Sequence, residues 1–293
     1  MKGLKSIFIS LVLMVMSQWV YAAGYMPFIL ANTTGESVAD VSAKVEQSVK
    51  NNGFEVVGSY QPMTGVKIIV VTNNALKNIA AQSQNGGFGA MERIAIVNRK
   101  GTVQVSYTNP AYWWNVYRMK GDITPVQTSL ETALGKQKAF GADQPLSAEA
   151  LREYHYKFMM PYFDDVDDLA YYESHEEGVR TIENHLAAQK AGVSKVYRID
   201  LPESNMTVFG VQMTKGEGAD ENVLKSIDVA EYSHAAHLPY EILVVGDKAI
   251  ALNGKFRIAI SWPSLSMMGS NSFMSIANAP DEIKEALEAV AEK

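Results

Sequence analysis

His234 and His237, three residues apart, are the sharpest constellation of reactive side chains in this sequence. On a helical turn that spacing puts both imidazoles on one side, as a metal site requires. Glu231 and Glu241 are the nearby candidates for a third ligand, or for acid–base partners of the histidines if the group is catalytic, and Tyr232 would support them. The competing account is structural, with two histidines that bond backbone groups where the chain enters a strand. Met267, Met268 and Met274 offer thioethers, the soft ligands that suit Cu(I), yet methionine equally fills irregular gaps in a core. The 14 methionines are spread along the chain without a Met-x-x-Met cluster, which weakens the copper reading. His155 sits among Tyr154, Tyr156 and Phe158, surroundings that serve a noncovalent haem or a buried, hydrogen-bonded histidine. No cofactor is predicted, and zinc, copper or haem stand as the alternatives.

Other motifs carry less. Asp164, Asp165, Asp167 and Asp168 lack the turn glycine and the alternation of a calcium loop and read as a solvated acidic turn. Asn85-Gly-Gly-Phe-Gly89 lacks the Lys and Ser/Thr that would make it a phosphate loop. Neither a Gly-x-Ser-x-Gly elbow nor a His-Glu-x-x-His helix occurs, so an enzyme reading is left with Glu231, His234, His237 and Glu241 and no nucleophile. The expectation leans towards a non-catalytic protein. Tyr112, Trp113, Trp114, Tyr117 and Arg118 form an aromatic run that either packs two domains together or walls an apolar ligand. Its counterpart late in the chain includes Leu265, Met267 and Met268. The candidate ligand-lining set is therefore Tyr112, Trp113, Trp114, Arg118, Met267 and Met268, around a groove for a small apolar ligand or a protein partner.

These residues need elements to hold them. Gly101–Pro110 and Gly254–Pro263 share one skeleton, a leading glycine, apolar residues at +2, +4 and +6, and proline at +9. Such alternation predicts a half-buried antiparallel strand, and its recurrence predicts two copies of one domain. Around each run, helix-periodic segments and strand-like runs follow in the same order. The fold class expected is α+β, with two tandem copies of a small domain of antiparallel sheet plus helices, at residues 23–137 and 175–293. A helical, aromatic-rich connector over residues 138–174 joins them, with Ser147 capping a helix that carries Leu151, Tyr154 and Phe158.

Residues 1–22 read as an export signal. Lys2 and Lys5 precede an apolar run from Ile7 to Met16, and small residues at Ala22 and Ala23 offer a cleavage site. No later stretch is apolar enough to span a membrane, so the expected location is the periplasm or the exterior. The chain has no cysteine, which excludes disulfides, thiolate nucleophiles and covalent c-type haem. Its net charge of −6 becomes −8 once Lys2 and Lys5 leave with the signal. A surface of that sign repels phosphate backbones and excludes nucleic acid as a natural partner.

Thr207-Val-Phe-Gly-Val-Gln212, His237-Leu-Pro-Tyr-Glu-Ile-Leu-Val-Val245 and Gly254–Pro263 together resemble the family catalogued as domain of unknown function 302. Arg93–Val97 and Tyr107-Thr-Asn-Pro110 resemble it more weakly. The resemblance implies a compact α+β sandwich with an antiparallel sheet and carries no established activity. Family members commonly show Gly-Asn-Pro after the strand, where this chain has Gly210-Val211-Gln212. The two-copy layout, the export signal and the string Tyr112–Met119 also resemble a group of uncharacterised exported bacterial proteins.

Overall fold

The computed structural model describes residues 24–293, so the expected signal sequence lies outside the described residues. In chain order the elements are β1 (Phe28–Thr34), α1 (Val38–Asn51), β2 (Glu55–Met63), β3 (Val66–Thr72), α2 (Asn74–Ala81), β4 (Glu92–Arg99), β5 (Thr102–Thr108), α3 (Pro110–Val116) and α4 (Thr124–Leu134). Then come β6 (Lys138–Phe140) and α5 (Ala148–Arg152). The second half holds β7 (Val166–Tyr171), α6 (His175–Ala187), β8 (Val193–Leu201), β9 (Met206–Met213), α7 (Asp220–Ile227), β10 (Tyr240–Val245), β11 (Lys248–Leu252), α8 (Gly254–Ala259) and α9 (Ala279–Ala291). Leaving β6 and α5 aside, the same succession of nine elements occurs twice. The sheets repeat as well: one runs β2-β3-β4-β5-β1-β6 and the other β8-β9-β10-β11-β7. Every pairing is antiparallel. The α+β class and the paired antiparallel sheets agree with expectation.

The pieces stack in four layers, helices outside and sheets inside. Ile69 and Val71 of β3 bury one face of the first sheet against Val41, Val45 and Val49 of α1 and Val126 and Leu130 of α4. Ile68 and Val70, pointing the other way, join a second core that also holds Phe209, Val211, Ile242 and Val244 of the second sheet. Val179, Ile182 and Leu186 of α6, with Ile283, Leu287 and Val290 of α9, close the far side of that core. Both faces of the central strands are therefore buried, which is why β3 and β9 read as near-continuous apolar runs rather than alternating ones. The helices sit where their caps place them, since Ser37, Asn73, Ser147 and Ser174 each accept a backbone N–H at an N-terminus.

Two expectations are corrected. Gly101–Pro110 is β5 and its turn, but Gly254–Pro263 opens with helix α8. Val103 and Val105 thus lie on a strand, and Phe256 and Ile258 on a helix. The strand that matches β5 is β11, and the element that matches α8 is α3. The shared skeleton is a coincidence of period: all seven residues from Phe256 to Trp262 are buried, and a short buried run does not separate a strand from a helix. The repeat holds as an order of elements and strands, displaced by one element from the one expected. An asparagine precedes each matched helix, Asn109 before Pro110 and Asn253 before Gly254, and that pair marks the true register.

The connector is also only partly helical. Ser147 caps α5, which ends at Arg152, before Tyr154 and Phe158. The supposed acidic turn runs into β7, which includes Asp167 and Asp168 and pairs with β11 at the edge of the second sheet. Charged side chains on an edge strand discourage pairing with another chain.

Candidate functional site

Two polar constellations lie between or beside the sheets. The deeper one centres on Glu241, the second residue of β10. Arg93, the second residue of the matching strand β4, donates to Glu241 Oε1 through both Nε (3.1 Å) and Nη2. Arg257 of α8 donates from Nε to Oε2 at 3.3 Å. All three side chains are 1 % exposed. Arg257 spends its other nitrogens on Ser261 Oγ, on the carbonyls of His237 and Pro239, and on His237 Nδ1 at 3.2 Å. Both guanidiniums lie against the ring of Trp113, at 5.4 and 5.2 Å, where the aromatic face offsets some of the surplus positive charge.

This cluster is a lock rather than a reaction centre. Both oxygens of Glu241 are taken by guanidinium donors, so the carboxylate has no role left as a base. His237 accepts from Arg257, and burial followed by the charges of Arg257 and Arg93 holds its pKa well below the usual histidine range. A neutral imidazole beside two fixed cations is a poor place for a metal ion, because the guanidiniums repel it. Around the cluster, Tyr60 donates to Asp220 at 2.9 Å across the halves, and burial raises Asp220 to about 7.

The second constellation is open. A cleft of about 400 Å³ lies on the seam between the halves. Lys138 and Phe140 of β6 and the following Gly141–Asp143 line one side. Ile227, Val229–Tyr232, His234, Trp262, Ser264, Leu265 and Asn271 line the rest. Phe140 packs on Tyr232 and His234, at 5.5 and 5.7 Å between ring centres, and His234 stacks on Trp262 at 5.3 Å. The Lys138 ammonium sits 5.0 Å over Tyr232.

His234 is the polar group of interest here. Its backbone N–H is held by Asp228 at 2.8 Å, and its Nδ1 lies 2.9 Å from the Ser261 carbonyl. A carbonyl only accepts, so Nδ1 carries a proton. Burial lowers the pKa of the ring, which is therefore neutral, leaving Nε2 as an acceptor. Among the described residues nothing donates to it. The ring is 6 % exposed and lines the cleft.

The structure separates the other predicted residues. His234 and His237 share Trp262 as a neighbour but face different surroundings, and Glu231 is exposed while Glu241 is locked. Among the described residues no group of three potential ligands converges. Tyr112 and Trp113 lie in the core between the sheets, where Tyr112 donates to the Ile260 carbonyl at 2.8 Å and Trp113 to the Pro27 carbonyl at 2.8 Å. Trp114 borders a crevice of only about 10 Å³, the size of one water. Arg118 pairs with Asp164 at 3.0 Å. Met267 and Met268 are exposed on the loop beyond Leu265. None of the six predicted lining residues borders the seam cleft. The expected wall failed because its largest rings are consumed in joining the halves.

Sequence reasoning missed Phe140, Trp262 and Lys138. Along the chain only Tyr232, two residues before His234, marked the place; the other three come from distant segments.

A larger groove, about 610 Å³, runs along α6 and β8. Its groups mostly satisfy one another. Arg198 pairs with Asp200 at 2.9 Å and Glu183 at 3.5 Å, and both nitrogens of His175 are used, by the Gly246 carbonyl and Thr207 Oγ1. It offers a ligand less than the seam cleft does.

Compared with known proteins, the chain matches no family model, no curated sequence and no solved structure. The likeness to domain of unknown function 302 therefore rests on the residues quoted for it.

Proposed function

We propose that this is a non-catalytic binding protein whose seam cleft takes a small apolar or amphipathic molecule bearing one hydrogen-bond donor. One observation supports this above the rest: an unpaired, neutral histidine acceptor in an aromatic-walled cleft of ligand size, built from both halves. Ligand pockets are typically apolar, about 300–1,000 Å³, and oriented by a few fixed polar groups. Phe140, Tyr232 and Trp262 supply the walls, and His234 Nε2 receives the donor. Lys138 and Glu231 at the rim orient a polar tail. The reading of residues 1–22 as an export signal supports the periplasm or the exterior as the place of this activity.

The test is a titration with a 4-alkylphenol, whose ring fits the walls and whose hydroxyl fits His234. Intrinsic tryptophan fluorescence reports on Trp262. His234→Ala should weaken binding roughly fivefold, the worth of one hydrogen bond of about 1 kcal/mol. Binding should also weaken on acidification below the ordinary histidine range, because a protonated Nε2 becomes a donor. No saturable change in the wild type, or equal affinity in the variant, would remove the proposal.

A further inference from the structure

Two loops beside the cleft carry the most exposed large apolar side chains of the described chain. Phe158 and Met159 are 90 and 88 % exposed, and Met268 and Met274 follow at 79 and 61 %. Solvent exposure of that degree is unfavourable for such side chains unless something covers them. The two loops form one surface. Tyr156 packs on Phe273 at 4.9 Å and donates to the Leu265 carbonyl. Met274 N donates to the Met267 carbonyl at 3.2 Å, which sets the methionines of the second loop side by side. Lys157–Met160 is a tight turn in which the Met160 N–H donates to the Lys157 carbonyl at 2.9 Å, with Met159 in a left-handed conformation. Phe158 and Met159 therefore project from a tip.

The charge pattern says what covers this face. Between Pro263 and Pro280 no residue is charged, and Tyr154–Phe163 contains a single charged residue, Lys157. Of the flanking acids, Asp164 pairs with Arg118 at 3.0 Å and the Asp165 carboxylate accepts from the Tyr162 N–H at 2.9 Å, while Glu153 stands exposed at the start of the first loop. A chain of net charge −6 thus presents one face that is nearly free of charge, with unbranched and aromatic side chains at its tips and a lysine beside them. That combination matches an interface of anionic lipid, where apolar tips enter the headgroup region and the ammonium remains among the phosphates. Projecting tips suit a second copy less well, since a stable dimer buries roughly 800 Å² per partner on matched surfaces.

We propose that the loops holding Phe158, Met159, Met267, Met268 and Met274 dock the protein on the surface of an anionic lipid bilayer. Leu265 belongs both to the second loop and to the cleft wall, so docking brings the cleft mouth to the membrane. That consequence alone rests on the ligand-binding reading.

Co-sedimentation tests the proposal, using residues 24–293, which hold both complete sheets, and vesicles of phosphatidylethanolamine and phosphatidylglycerol. The expected result is saturable binding that weakens in salt and on neutral phosphatidylcholine vesicles. The double variant F158S/M159S should lose at least tenfold in apparent affinity, and M267S/M268S should lose affinity too. Both variants alter exposed side chains and should keep the wild-type melting temperature and 4-alkylphenol affinity, which separates failure of docking from failure of the cleft. The proposal is overturned if the wild type ignores anionic vesicles, or if the variants bind them as well as it does. It is also overturned if light scattering shows a dimer that F158S/M159S abolishes, which would assign the face to a second copy.

Discussion

The two halves share an order of strands and helices but differ at the positions where they meet. The second residue of β4 is Arg93 and the second residue of β10 is Glu241, and these two side chains bind each other. Counting from the start of the matched helices, Trp113 of α3 corresponds to Arg257 of α8, and these also meet, at 5.2 Å. Corresponding sites thus carry complementary groups. Two identical copies would bring arginine against arginine or glutamate against glutamate, which costs several kcal/mol at a buried contact. The divergence makes each half the specific partner of the other. A second difference lies at the seam, where β6 extends only the first sheet and supplies Lys138 and Phe140 to the cleft. One cleft, rather than a symmetric pair, follows from that added strand.

The strongest way to break this comparison is to remove the shared carboxylate. Glu241→Gln leaves two buried guanidiniums without an anion, and the loss in denaturant unfolding should be about 3–5 kcal/mol. The charge swap Arg93→Glu with Glu241→Arg should not restore stability, because residue 241 would then face Arg257 within its own half. Full recovery in the swap would show that the halves are interchangeable.

A smaller effect is expected at Gly210. A Cβ there would stand 1.8 Å from the Tyr197 ring, which lies flat on the strand. Gly210→Ala should cost about 1–3 kcal/mol through overpacking, read as a lowered urea midpoint. Gly35→Ala, which meets nothing within 4 Å, should leave the midpoint close to that of the wild type.

The least effect is one of pH. Burial raises Glu92 in the first half from 4.5 to about 8. A raised folded-state pKa contributes stability that is fully present below 4.5 and is lost as pH climbs through about 8. Burial raises Asp220 in the second half from 3.8 to about 7, with the same sign. His234 and His237 are lowered and act oppositely, contributing stability above the ordinary histidine value that is lost as pH falls below it. Glu92→Gln should therefore flatten the fall in melting temperature between about pH 4.5 and about pH 8 and leave the profile below that window unchanged. An unaltered slope in that window would show that Glu92 is ionised in the fold.

Much of this layout was legible in the chain. Val41, Val45 and Val49 mark α1 by their spacing, and Asn52-Gly53 marks its end. The short helix, read from the sequence as Asn222–Ile227, and the final helix, read as opening at Pro280, were equally visible, as was the doubling of the element order. What misled was the run from Phe256 to Ile260, whose period-2 pattern arises in a helix buried on every side. β7 stayed hidden because Asp167 and Asp168 interrupt its apolar pattern, Asp168 exposed on the edge and Asp167 covered beside Asn253 and Lys284. The lining of the cleft was illegible for another reason: Lys138, Phe140, Tyr232 and Trp262 are far apart in sequence and meet only when β6 joins the first sheet beside the loop that follows α8.

Local patterning and composition by themselves determined the α+β class, the duplicated order of elements, the absence of disulfide and thiolate chemistry, and the sign of the surface. These depend on residue type and on spacing along the backbone, which the chain states directly. Only tertiary structure decided that Glu241 is a locked counter-ion rather than a base, that Tyr112 and Trp113 serve the core, and that His234 keeps an acceptor free. Those outcomes depend on which side chains from distant segments reach the same few ångströms, and on how far water is excluded there.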